Sequence, residues 1–164
     1  MPVVSNTSPL LNLAIIDRLY LVQQQFSEIY IPTAVKAELR VNESLPGSSA
    51  LRQAIENGWI VEETVKDSAL VKLLRRDLDL GEAEAIALGL ELGADWTLLD
   101  EREGRKIARS LGLNITGTLG ILLRGWRLGE LSSLRGVTDD LQLMANFRIA
   151  PELLSEILRE SGEL

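Results

Sequence analysis

The chain of 164 residues contains no cysteine and no histidine. These two absences remove disulfides, thiolate nucleophiles, Ser-His-Asp triads, His-bearing zinc sites and imidazole general bases together. Any catalysis must come from carboxylates, hydroxyls, Lys or Arg, or a bound metal. The absence of cysteine also fits the cytosol, and a cytoplasmic location is the expectation. No segment approaches the roughly 18 uninterrupted apolar residues of a membrane span, so no membrane association is predicted. The N-terminus lacks a basic region and its apolar run breaks at Asn6, Asn12 and Asp17, so no signal peptide is predicted. Positive charge is in short supply: 17 Lys and Arg against 24 Asp and Glu leave a net charge of -7. That balance argues against gripping nucleic acid by bulk electrostatics, and it suits a metal site or a basic partner segment.

What is present is enough apolar residue, 46% of the chain, to bury one core, so residues 1–164 read as a single domain. Val3-Val4-Ser5 is a short buried strand that opens into Asn6-Thr7-Ser8-Pro9. Ile15 to Phe26 carries apolar residues near helical spacing, and Ile29–Ile31 is a second strand. A helix over Thr33 to Arg40 follows Pro32. Val41 to Ser49, with Pro46 and Gly47, reads as a loop before a helix over Leu51 to Asn57, and Trp59–Val61 as an edge strand. A charged helix from Ser68 to Asp77 leads to an apolar helix over Leu80 to Leu92 that Gly93 ends. Trp96–Leu99 is a further buried strand, followed by a helix from Arg102 to Leu111, a strand from Leu113 to Thr116 and a helix from Leu119 to Leu128. Residues 131–164 read as a helical C-terminal extension. Strands alternating with helices predict an α/β protein, a three-layer α/β/α sandwich around a parallel sheet.

In such a sheet the strand ends and the helix starts that follow them share one face, where ligands bind. Four polar positions qualify: Asn6, Glu38, Glu82 and Asp100. Three carboxylates and an amide brought together would repel one another unless a cation sat among them, and hard oxygen donors suit Mg²⁺ or Mn²⁺. Each position also has a plainer explanation. Asn6 and Thr7 complete a turn in front of a helix capped by Ser8 and begun by Pro9. Glu38, between Lys36 and Arg40, is an ordinary solvated charge. Glu82 and Glu84 complement the dipole of their helix, their side chains pointing about 200° apart, so that at most one faces a given pocket. Asp100 caps the helix after it. Arg105 binds a phosphate or pairs with Glu101 or Asp100. Trp126, flanked by Arg124 and Arg127, stacks on RNA or packs as a partly buried helix residue.

Val3 to Leu10, Ile31-Pro32 through Glu38-Leu39, Gly81-Glu82-Ala83-Glu84-Ala85-Ile86-Ala87, Leu99-Asp100-Glu101 with Gly104-Arg105, and Thr116-Gly117-Thr118-Leu119-Gly120 occur in that order. Together they resemble the PIN domain, in the branch of nucleic-acid-binding proteins related to VapC-type toxins, over about Val3 to Ser161. The resemblance implies an acidic cluster that binds Mg²⁺ or Mn²⁺ and hydrolyses single-stranded RNA, a small antitoxin partner and a homodimer. Carried over, the cluster is Asn6, Glu38, Glu82 and Asp100, with Glu101 as an alternate to the last. Thr7, Ser8 and Thr118 are hydroxyl neighbours that orient carboxylates or water. The departure is at Asn6, where the family most often has Asp. An amide offers one neutral oxygen and neutralises no metal charge, so metal affinity is expected to fall. Three function classes follow: a metal-dependent endoribonuclease of a toxin–antitoxin pair, an attenuated PIN fold that binds RNA or a partner, and a phosphotransfer or nucleotide-binding domain. The last fits poorly, because the loop after the first strand has no glycine.

Overall fold

The computed structural model describes residues 1–164. The chain runs β1 (Val3–Ser5), α1 (Thr7–Ile15), α2 (Tyr20–Phe26), β2 (Ile29–Ile31), α3 (Thr33–Leu39), α4 (Ser48–Glu56), β3 (Ile60–Glu62) and α5 (Ser68–Leu74). It continues through α6 (Leu80–Leu92), β4 (Trp96–Leu98), α7 (Arg102–Ser110), β5 (Ile115–Thr116), α8 (Thr118–Arg127), α9 (Leu134–Met144) and α10 (Pro151–Ser161).

The strands are two or three residues long, and successive side chains leave them on opposite faces. Val3 and Leu98 join a cluster of 27 buried residues on one face, whereas Val4 and Leu99 join a cluster of 10 on the other. Ile29 and Ile31 point into the larger cluster, and Tyr30 between them packs on the smaller. Helices α1, α4, α8 and α9 cover the first face through residues such as Leu13, Leu51, Ile121 and Leu141. Helices α5, α6 and α7 cover the second through Leu74, Ile86 and Ala108. The result is the α/β/α sandwich that the alternation of elements predicts.

All four strand pairings are parallel, in the order β3-β2-β1-β4-β5. From β1 the chain steps outward to β2 and β3, then crosses back to place β4 on the other side of β1, with Val4 level with Thr97. The helix after β1 lies on one face and the helix after β4 on the other. The two chains diverge at the carboxyl ends of these strands and leave a crevice, the topological switch point of an open parallel sheet. Asn6 follows β1 directly, and Asp100 follows β4 by one residue.

Local structure departs from the sequence reading in places. The apolar run from Ile15 to Phe26 is not one helix: Asp17 is left-handed, with φ 58°, and Arg18 N–H donates to Leu13 C=O at 2.8 Å. Ile16 and Leu19, on either side of the break, both enter the core, at 3% and 4% exposure. The third strand starts one residue later than Trp59. The C-terminal region is two helices separated by residues 145–150. Its Leu134, Val137, Leu141, Ile157 and Leu158 enter the same 27-residue cluster as β1 and α1. No helix is long and apolar enough to cross a membrane.

Candidate functional site

Asn6, not Ser8, occupies the N-cap position of α1, with extended backbone, and its side chain makes no capping bond. It is 5% exposed, its N–H donates to Leu98 C=O at 3.0 Å, and its Oδ1 is buried without a hydrogen-bond partner. A buried carbonyl oxygen left unpaired is costly, by about 1–3 kcal/mol. The start of α1 is bonded to a carboxylate on each side of β1. Thr7 Oγ1 donates to Glu38 Oε2 at 2.5 Å, and Ser8 Oγ donates to Asp100 Oδ2 at 3.1 Å.

Asp100 is the better-held carboxylate. Glu101 takes the N-cap position of α7 instead, and Asp100 reaches across to the start of α8. Its Oδ1 accepts from Thr118 N–H at 2.8 Å. Its Oδ2 accepts from Thr118 Oγ1 at 2.7 Å, Ser8 Oγ at 3.1 Å and Asn12 Nδ2 at 3.2 Å. Asn12, which sequence reasoning passed over, also donates to Ser8 Oγ at 3.2 Å. The signal was available: Ser8 and Asn12 are four apart on one helix and share a face.

Glu38 stays exposed, while Lys36 pairs with Glu62 at 3.2 Å. Helix α3 touches both α1 and α6, which brings Glu38 over the first turn of α6. A β-carbon on Gly81 would sit 2.5 Å from Glu38 Oε1. Next to it, Glu82 is 7% exposed. Its carboxyl is pushed up to about 7, first by burial and then by Asp79 and Glu101 beside it. Asp79 caps α6 by accepting from Glu82 N–H at 2.9 Å. The neighbouring Glu84 is committed elsewhere, its Oε1 accepting from Ala34 N–H at 3.0 Å at the start of α3. Glu82 Oε2 in turn faces Gly104 of α7, where a β-carbon would lie 2.7 Å away.

These contacts close a ring along the carboxyl edge of the sheet: Asp100 to Ser8, Thr7 to Glu38, Glu38 over Gly81, Glu82 over Gly104, and back along α7 to Asp100. Glycine recurs where a carboxylate needs room. Gly117 completes the set, since a β-carbon there would meet Asp100 Oδ1 at 2.6 Å and Arg105 Nη1 at 2.9 Å. Arg105 pairs with neither Asp100 nor Glu101 but donates through Nη1 to Leu99 C=O at 2.8 Å, and burial lowers its pKa. Trp126 is partly buried against the core, and Arg127 is held by Glu160 through two bonds of 2.7 Å.

A family model described as a PIN domain matches residues 2–163 of the chain. The chain belongs to the PIN domain family. A PilT N-terminus domain protein from the hyperthermophilic archaeon Sulfolobus solfataricus P2 has a similar solved structure. It is 16% identical, with a TM-score of 0.51, over 81% of this chain and 96% of that one, a likeness that concerns the fold alone. No curated protein matches the sequence. PIN domains are nuclease-type modules that generally depend on divalent metal.

The donors along this PIN edge, carboxylate and amide oxygens with no nitrogen or sulfur, are the type that Mg²⁺ and Mn²⁺ take. The carboxylates are spaced around the ring, and no three lie close enough together to enclose an ion. That spacing fits an ion that keeps most of its water and is held through about one or two carboxylates, the usual habit of Mg²⁺. The unpaired Asn6 Oδ1 and the disfavoured charge of Glu82 are both groups that a cation would satisfy.

Proposed function

We propose that the protein is a metal-dependent endoribonuclease that cleaves single-stranded RNA, the toxin of a cytoplasmic toxin–antitoxin pair. The observation that carries this reading is the ring of contacts that sets Glu38, Glu82 and Asp100 along the carboxyl edge of the sheet, with the buried, unpartnered Asn6 Oδ1 beside it. One or two at a time of Glu38, Glu82 and Asp100, with the carbonyl oxygen of Asn6, would hold hydrated Mg²⁺ or Mn²⁺. When bound, the ion supplies an activated water and charge stabilisation at the phosphate. A chain without histidine has few other routes to such chemistry. Thr118, Ser8 and Asn12 fix the Asp100 carboxylate, and Thr7 fixes that of Glu38, so neither needs to reorganise during turnover. Arg105, which lines a cleft beside Asp100, would bind a phosphate. A small antitoxin protein and a homodimer complete the proposal.

Glu82→Gln and Asp100→Asn are each expected to abolish Mg²⁺- or Mn²⁺-dependent cleavage of single-stranded RNA. Full activity in both variants overturns the assignment.

Asn6 supports a second reading, an attenuated PIN module that binds RNA or a partner without cleaving. Its neutral oxygen brings one negative charge fewer than the Asp most often found there. Asn6→Asp separates the two: cleavage appearing only in the variant supports the module, and strong cleavage by the natural chain removes it.

A further inference from the structure

Beside Asp100 lies a cleft of about 450 Å³, walled by the start of α8 on one side and by α10 with the turn before it on the other. Leu119, Leu123, Leu153 and Ile157 make its floor apolar, and the ring of Phe147 forms part of one wall. Its polar rim holds two arginines, Arg105 and Arg148, with Asp100 between the cleft and the ring of carboxylates. Neither arginine belongs to one of the three ion pairs of the chain, Lys36–Glu62, Arg40–Glu43 and Arg127–Glu160, although the Asp100 charge acts on Arg105. Two arginines lining one cleft outside any salt bridge, on a protein of net charge -7, mark a place for an anion. The turn is built rather than loose. Asn146 is left-handed with φ 54°, and Phe147 N–H donates to Leu141 C=O at 3.2 Å, which fixes where the ring and Arg148 begin.

We propose that this cleft seats one nucleotide of the RNA strand next to the cleaved bond, its phosphate on Arg105 and Arg148 and its base on the apolar floor against Phe147. The inference rests on the nuclease reading above and adds a subsite to it. Charge complementarity favours a nucleic acid strand: an anion at the rim followed by a flat apolar group below is the profile of a nucleotide. An aromatic face accepts any base, so the subsite sets position more than sequence.

The test is binding of a labelled single-stranded RNA decamer to the full chain in EDTA, which separates binding from hydrolysis. Arg148→Ala, at an exposed position, is expected to weaken binding about tenfold. Phe147→Leu, which keeps apolar bulk against the core, is expected to weaken it about fivefold and to move the cleavage positions when metal is restored. Thermal melts that match the natural chain show that both variants fold. Unchanged RNA affinity in both variants overturns the proposal. So does a nucleoside 5′-monophosphate that binds as tightly as the decamer, which would make the ligand a free nucleotide, or an Asp- and Glu-rich peptide that displaces the RNA at equal concentration, which would make it a protein partner. Loss of cleavage under every metal condition, with the binding pattern intact, removes the nuclease reading and leaves the subsite standing.

Discussion

Two glutamates at helix starts, Glu82 and Glu163, have the same chemistry and opposite fates. Glu82, in the first turn of α6, is buried beside two other acids, and its carboxyl is pushed up to about 7. Glu163, just past the end of α10, docks on the first turn of α9. It accepts from Ser133 Oγ, and from Leu134 N–H at 2.8 Å, and is pulled down to about 2 by these donors, Ser133 foremost. A helix N-terminus alone does not decide the charge of a nearby carboxylate. Solvent and specific donors do: Glu163 is open to water and has several donors, while Glu82 has lost its water and gained acidic neighbours. The first arrangement ties the C-terminal region to the domain. The second stores an unfavourable charge where a cation would relieve it, at some expense of stability, as functional sites often do.

The sharpest way to break the contrast is Glu82→Gln. Because the folded-state value of Glu82 is raised, its favourable contribution is complete below the ordinary carboxylate range and is lost as pH rises through about 7. The variant should therefore be more stable than the natural chain by about 1–3 kcal/mol at pH 8 without metal, and no more stable at pH 4. Denaturant melts at the two pH values check this, and equal stability at pH 8 would refute the buried charge.

Gly81→Ala probes the same edge without touching an acid. An added β-carbon displaces the flexible end of Glu38 rather than backbone, and alanine favours the helix, so stability should hold or rise by up to about 1 kcal/mol. Cleavage should nonetheless fall by about tenfold to a hundredfold through misplacement of one carboxylate. A melt paired with an RNA cleavage assay reads both, and unchanged cleavage would detach Glu38 from the site.

The smallest effect is expected at the other pole. Glu163→Gln should lower the melting temperature slightly at pH 7, because a depressed carboxyl contributes above its ordinary range and loses that contribution as pH falls toward about 2. The difference from the natural chain should vanish at that acid limit. A melting series across pH checks it.

Much of the architecture is legible in the sequence because it is written in local periodicity. The alternation of short apolar strands with helices predicts the sandwich, and Gly93, left-handed at φ 60°, ends α6 where the sequence places the stop. The positions of Asn6 after β1 and Asp100 after β4 follow from the same pattern. What the pattern does not carry is the partner of each side chain. Asp100 and Ser8 look like caps because their nearest sequence neighbours are helix starts, yet Asp100 serves a helix 18 residues on and Ser8 serves Asp100. Asp17 breaks an apolar run that reads as one helix, since only the shape of the core demands the turn. Gly81, Gly104 and Gly117 read as ordinary helix and loop glycines, and their use appears only when a carboxylate is laid across each.

By itself, then, the sequence determined the chemistry available and the order of the elements. A chain without histidine or cysteine must work through oxygen donors, and its apolar periods dictate which faces are buried. The tertiary structure decided which acid is held by donors and which is buried among other acids, where its charge is disfavoured. Burial, charge repulsion and hydrogen bonding act across the strand order β3-β2-β1-β4-β5, between residues far apart in the chain. Only the folded packing brings Thr7 to Glu38 and Thr118 to Asp100.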